Sequence, residues 1–299
     1  MPCLLRTLCS LGLALTAAPL LAQEYTLKSK VDTQGDVNRV STANSFRMDV
    51  FAENEGKSVK ISELKSTETM SFTETILTKK PGEKATQLRR EYTAAVLDQG
   101  DGKKKTLAFQ GKKLLIERKE GGYEFRFEGG DLLEGESVDF LKNEFQMSDD
   151  LADPDTLLRP KKPVKVGETW MLDIAPIAKN YARTTPVPLD QAKARGQGKL
   201  VKVYPQGGRE FALIEVEIEI PLKTGPQGAM TVMEGSKLSL KQKIDGAFDG
   251  KFGTQVFESQ MNLDIEGLLD AGKGKMVKTT MTGKGTFRAE VTDLSQEAK

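Results

Sequence analysis

A strict two-residue alternation of apolar and polar side chains is the feature that most limits what this chain can become. Between Ile214 and Ile220, isoleucine and valine take every second position and Glu215, Glu217 and Glu219 fill the gaps. Successive side chains of an extended chain point to opposite faces, so this pattern fits a strand with one apolar and one wet face. Tyr123, Phe125 and Phe127 repeat it around Glu124 and Arg126, as do Phe46, Met48 and Val50 around Arg47 and Asp49. Leu88, Tyr92, Ala94 and Val96 are expected to share one face, with Arg90 an exception among them. In the last long run, Val277, Met281, Phe287, Ala289 and Val291 share a parity with Gly283 and Gly285. Glycine inside a strand marks a bend or a close approach by another group, which suits a curved sheet.

The period changes after Gly129-Gly130. Ser137 is placed to cap a helix, and Val138, Leu141 and Phe145 follow helical spacing to about Met147. A helix packed on the sheet is the simpler expectation, and a ligand lid the sharper one. Short helical turns are expected near residues 176–195, between prolines. The predicted fold is mainly β, of the α+β kind: a large curved antiparallel sheet or half-barrel, one covering helix near 137–147 and short helices near 176–195.

Residues 1–22 have the layout of a secretory signal peptide: Arg6, an apolar run from Leu8 to Leu21 and a small residue, Ala22, at the cut. The run is too short to span a membrane, and no later segment is apolar enough. Cys3 and Cys9 both fall inside this segment. The expected mature protein is therefore extracytoplasmic, periplasmic or secreted, and free of disulfides. Its organisation reads as a β-rich half with a helix over 23–150, a connector over 151–170, a second β-rich half over 171–292 and a polar tail over 293–299.

The chain carries 44 basic and 43 acidic residues, a balance that argues against nucleic acid as a partner. It contains no histidine. With both cysteines in the leader, Ser-His-Asp and Cys-His catalysis and Cys/His zinc sites are excluded from the mature chain. No phosphate-binding loop or serine elbow occurs. The protein is read as a non-enzyme, with no catalytic, cofactor or metal residue assigned and no cofactor.

Four features could mark a site. The Glu215, Glu217 and Glu219 row could hold cations or act on a substrate, but the wet face of a strand paired with lysines explains it more simply. Lys103-Lys104-Lys105 could contact a polyanion, but a solvated hairpin edge explains it more simply. Asp149, Asp150, Asp153 and Asp155 are numerous enough for calcium but lack the D-x-[DN]-x-[DN]-G spacing. Trp170, the single tryptophan, is expected to anchor the core and could instead line a ligand site.

The segment Pro163-Val164-Lys165-Val166-Gly167-Glu168-Thr169-Trp170 resembles the P-V-x-V-G-[ED]-x-W stretch of secreted bacterial β-rich proteins of families without an assigned activity. In architecture, the expected sheet with its covering helix is similar to the half-barrels of periplasmic lipoprotein carriers of the LolA/LolB type. The many alternating strands, the internal glycines and the missing catalytic residue types point to a non-catalytic binding protein whose partner is a lipid or other apolar ligand, or a protein segment. An envelope protein is the alternative partner, in a structural or interaction role; a carboxylate-dependent hydrolase is the weakest reading.

Overall fold

A computed structural model describes residues 23–28, 30–100, 102–150, 154–184, 188–228, 230–250, 254–272 and 275–295, without the side chains of 146–150, 154–155 and 183–184. The leader expected over 1–22 lies outside these residues, and so do the carboxylates of Asp149, Asp150, Asp153 and Asp155. The strands are β1 Glu24–Tyr25, β2 Val37–Asn54, β3 Lys57–Thr78, β4 Gln87–Asp98, β5 Lys104–Thr106, β6 Lys113–Lys119, β7 Gly122–Phe127 and β8 Val164–Lys165. They continue as β9 Thr169–Met171, β10 Arg195–Gln206, β11 Arg209–Pro221, β12 Gly225–Gln227, β13 Met230–Val232, β14 Lys237–Ala247, β15 Thr254–Asp270 and β16 Met276–Asp293. The helices are α1 Glu136–Asp150, α2 Pro154–Leu158 and α3 Ile174–Thr184, followed by a 3-10 turn at Gln191–Lys193. The protein is mainly β, with a large curved antiparallel sheet and a few short helices against it.

One sheet runs through both halves of the chain, in the order β7-β6-β4-β3-β2-β16-β15-β14-β11-β10-β9. Tight hairpins set its register. Glu55 and Gly56 join β2 to β3 with φ of 51° and 73°, both positive, as the favoured two-residue turn requires. Irregularities interrupt the ladders opposite Val50/Phe51, Ser71/Phe72 and Leu200/Lys202. Such bulges bend a sheet and shift its alternation. The one at Thr93 corrects the expected face of β4: Ala95, fully buried, points inward with Tyr92, in place of Ala94 and Val96.

Cross-strand register places both hydrophobic cores on the same face of this sheet, here the inner face. At one end Met70, Phe72, Leu88, Tyr92, Ile116 and Phe125 pack beneath Leu141 and Phe145 of α1. At the other, Ile214, Val216, Ile218, Leu238, Leu240 and Leu263 pack beneath α3 residues Ile177 and Ala178 and N-terminal residues Tyr25 and Leu27. The outer face is largely polar, with Phe211, buried against Tyr204, and the exposed Met171 as exceptions.

The connector enters the main sheet only at its end. Val164 and Lys165 form a separate two-stranded pair with β1, and only Thr169–Met171 joins the main sheet, as its last strand. Gly167, at φ 87°, makes the turn between them. Trp170 is half-buried, packs against the second core and donates its indole N–H to the Leu158 carbonyl at 3.2 Å. It also lines an open cleft of about 600 Å³ with Pro160, Lys161, Lys162 and Pro163.

A lysine ties the N-terminal segment to the end of β16. Lys30 lies 2.8 Å from Asp36, 3.4 Å from Asp293 and 3.7 Å from Asp32. Burial alone would raise the Asp36 and Asp293 carboxyls; Lys30 with Thr33, and Ser295 with Lys30, more than offset it and hold both below the usual range. Asp32 moves the other way, raised by burial. Two lowered carboxyls contribute stability that is present above their unfolded values and lost as pH falls through the folded ones. Urea unfolding is therefore expected to lose stability on acidification below about pH 4. The loss should be smaller in Lys30→Met; an identical acid profile for the two proteins would refute the assignment.

Candidate functional site

The outer face disposes of the glutamate row. Glu219 lies 2.6 Å from Arg195 and 2.8 Å from Lys237, Glu217 3.5 Å from Lys241 and Glu215 3.6 Å from Lys243. Each carboxylate is thus paired across its ladder, and exposed pairs of this kind contribute about 0–1 kcal/mol each. Lys104 and Lys105 lie on β5, at the edge of β4, and Lys105 pairs with Glu136. Among the described residues no group of three His, Cys, Asp or Glu side chains is placed to hold a metal ion.

The helix expected over 137–147 is seated, not raised. Leu141 is fully buried, and the Phe145 ring lies 4.9 Å from Tyr123 and 5.6 Å from Phe125. Arg90, the exception in its strand, explains the seat. Its guanidinium is buried, 4.2 Å from the Phe72 centroid and 4.6 Å from that of Phe145. It donates to Glu74 at 2.7 Å, to Tyr92 at 3.1 Å and to Glu144 of α1 at 2.8 Å. Burial pushes the Tyr92 phenol up to about 12, so it stays protonated as Arg90's neutral partner. Directly beneath Leu141 and Phe145 the space is filled by the protein's own aromatic rings, and beside it an open cleft of about 930 Å³ is lined by Tyr123, Phe125, Val138 and Lys142.

The open apolar surface lies between the two cores. On the inner face of the central strands the register lines up Phe46, Met48 and Val50 of β2, Leu64 of β3, Met281 and Phe287 of β16, and Phe257 and Met261 of β15. Among the described residues no helix packs over Phe46–Val50. All eight side chains are half-buried except Leu64, which is 49% exposed. The same alternation that built the cores here continues without a cover.

Glycine flattens the strip. A Cβ at Gly283 would stand 3.5 Å from the Phe46 ring and 3.1 Å from Leu263, and one at Gly285 would stand 3.0 Å from the Met261 methyl. The missing side chains let Phe46 and Met261 lie down over β16. Phe257 and Phe287 meet edge to face at 5.8 Å. Toward the turn end the strip runs out to Val59, 47% exposed, with Ile61, 55% exposed, beside it.

One polar row crosses the strip. The register aligns Glu68, Asn44, Phe287, Ser259 and Gln242 on five adjacent strands. Gln242 is buried; its amide donates to the Tyr181 hydroxyl at 3.2 Å, and its carbonyl oxygen has no partner among the described residues. Glu68 is half-buried, with its carboxyl raised by burial and then by the nearby Glu144 charge.

Among the described residues no helix is long and apolar enough to cross a membrane. No protein-family model matches the chain, and no curated protein matches it. Among solved structures the chain is similar, at 11% identity and a TM-score of 0.32, to a structure described as lipid-protein interactions in lipovitellin; the match covers 87% of this chain and 25% of that one. It thus spans about a quarter of that protein's length. It is also similar, at 10% identity and a TM-score of 0.20, to an outer membrane channel from Pseudomonas putida F1, covering 88% of this chain and 97% of that one.

Proposed function

We propose that this protein is a non-catalytic binding protein that holds an apolar or amphiphilic molecule on the inner face of its central strands, and that it works outside the cytoplasm. The observation that supports the reading is the strip of Phe46, Met48, Val50, Met261, Met281 and Phe287, continuous with two packed cores and covered by no helix among the described residues. Apolar surface left in water costs about 25 cal/mol per Å², and contiguous patches of this kind mark binding sites. Flexible methionines and flat phenylalanines adapt to chains of varied shape.

A polarity-sensitive apolar dye tests it. Dye fluorescence should rise on binding, and Met48→Asp should weaken the affinity about tenfold or more, because the carboxylate would lose water beneath the ligand. Because Met48 lies outside both packed cores, the melting temperature should change little. Equal affinity in the two proteins would count against the strip.

A second reading, a partner-binding envelope protein, draws on a different feature. Residues Lys57–Leu64 of β3 extend past β4 and pair only with β2, leaving Val59, Ile61 and Leu64 exposed on an open edge. Recovery of a stable protein partner whose binding is lost on Ile61→Pro, with no extractable ligand, would favour it.

A further inference from the structure

The strip has an electrostatic defect at one margin. Glu68 shares its strand face with Met70 and Phe72, which lie in the first core, and faces Asn44 across the ladder. Among the described residues no hydrogen bond or ion pair reaches its carboxylate. The charge that acts on it is a like one: Glu144 of α1, already engaged by Arg90. At this margin Arg90 engages Glu74 and Glu144, and Glu68 stands outside that ion-paired group. Half-burying a carboxylate beside another without a cation is costly, and the rise of the Glu68 carboxyl is the signature of that cost.

Resting on the reading of the strip as a ligand site, we propose that its occupant is a cationic amphiphile: a protonated amine head at Glu68, on the side nearest Glu144, and an apolar tail along Phe46, Met48 and Leu64. The ammonium supplies the missing positive charge, and Asn44, exposed beside Glu68, offers the head a neutral acceptor. From the Asn44 row to the Ala52 row the floor extends about 27 Å, long enough for an ordinary alkyl chain. A carboxylate head at the same place would be repelled by two charges. The carboxylates of the outer face, such as Glu217, already face lysines, so no positive charge is missing there.

Calorimetric titration with dodecylamine, dodecanol and dodecanoate at neutral pH, below their micellar concentrations, tests the head separately from the tail. The amine should bind about tenfold more tightly than the alcohol, and the carboxylate most weakly. Glu68→Gln should bring the amine down to the alcohol's affinity and leave the alcohol unchanged, whereas Glu217→Gln should change neither. Glu68→Gln removes an unpaired charge and should melt slightly higher than the wild type, so loss of amine binding cannot be laid to unfolding. If amine and alcohol bind equally, or the amine preference survives Glu68→Gln, the headgroup assignment is wrong and the apolar strip still stands. If none of the three binds, both fail.

Discussion

Arg90→Met should lower the free energy of unfolding by about 3 kcal/mol, among the largest single-residue effects in the molecule. The guanidinium is buried between Phe72 and Phe145 and holds Glu74, Tyr92 and Glu144. Methionine fills much of the volume, so the loss comes from stranded polar groups and not from a void. Glu74 is the more buried of the two carboxylates, with 18% of its side chain exposed against 40% for Glu144, so its desolvation dominates. Adding Glu74→Gln to Arg90→Met should therefore recover part of the stability, a non-additivity readable in urea unfolding. Because Glu144 is the arm that reaches from α1, amides of 136–145 should also lose hydrogen-exchange protection before those of β11 and β14. A loss under 1 kcal/mol would mean that aromatic packing alone seats the helix.

Gly198→Ala should cost about 2–3 kcal/mol by a different route. A Cβ at this position would stand 2.3 Å from Trp170 Cε2 and 2.4 Å from Cζ2, well inside contact distance. The indole is rigid, fixed by its bond to the Leu158 carbonyl, and it belongs to the edge strand paired with β10. It cannot yield without giving up that bond or the strand pairing. Because Trp170 is the only tryptophan, its fluorescence reports the displacement directly, as a shift to longer wavelength. Trp170→Leu in the Gly198→Ala background should be nearly harmless relative to Gly198→Ala alone. Wild-type stability and emission in Gly198→Ala would contradict the contact.

The alternation of Ile214 to Ile220 made the strand and its wet face legible, because side-chain direction in a strand is a local property. The partners Lys237, Lys241 and Lys243 were not legible, since register is set by pairing between distant segments. The same limit hid the bulge at Thr93, which turned Ala95 inward where uninterrupted alternation put Ala94 and Val96. Arg90 stood out only as a charge at an apolar parity, and its three partners come from β3, β4 and α1. The strip shows the limit most clearly. Phe46, Met48 and Phe287 carry the pattern of core residues such as Ile116 and Leu240, and alternation assigns a face without saying what covers it. That depends on where α1 and α3 land, and both land at the ends of the sheet. Gly283 and Gly285 were a usable clue, because inward glycines among large residues announce a close approach. Glu68 gave a clue too, as a carboxylate sharing parity with Met70 and Phe72.

Native mass spectrometry of the full chain, isolated from its own host without detergent or organic solvent, tests the apolar strip most directly. A protein mass with an added component in the range of a single-tailed amphiphile is expected. That component should be released on acid unfolding and absent from Met48→Asp prepared in the same way. A single unliganded mass for the wild type, together with no uptake of dodecanol or dodecylamine by that protein, would contradict it.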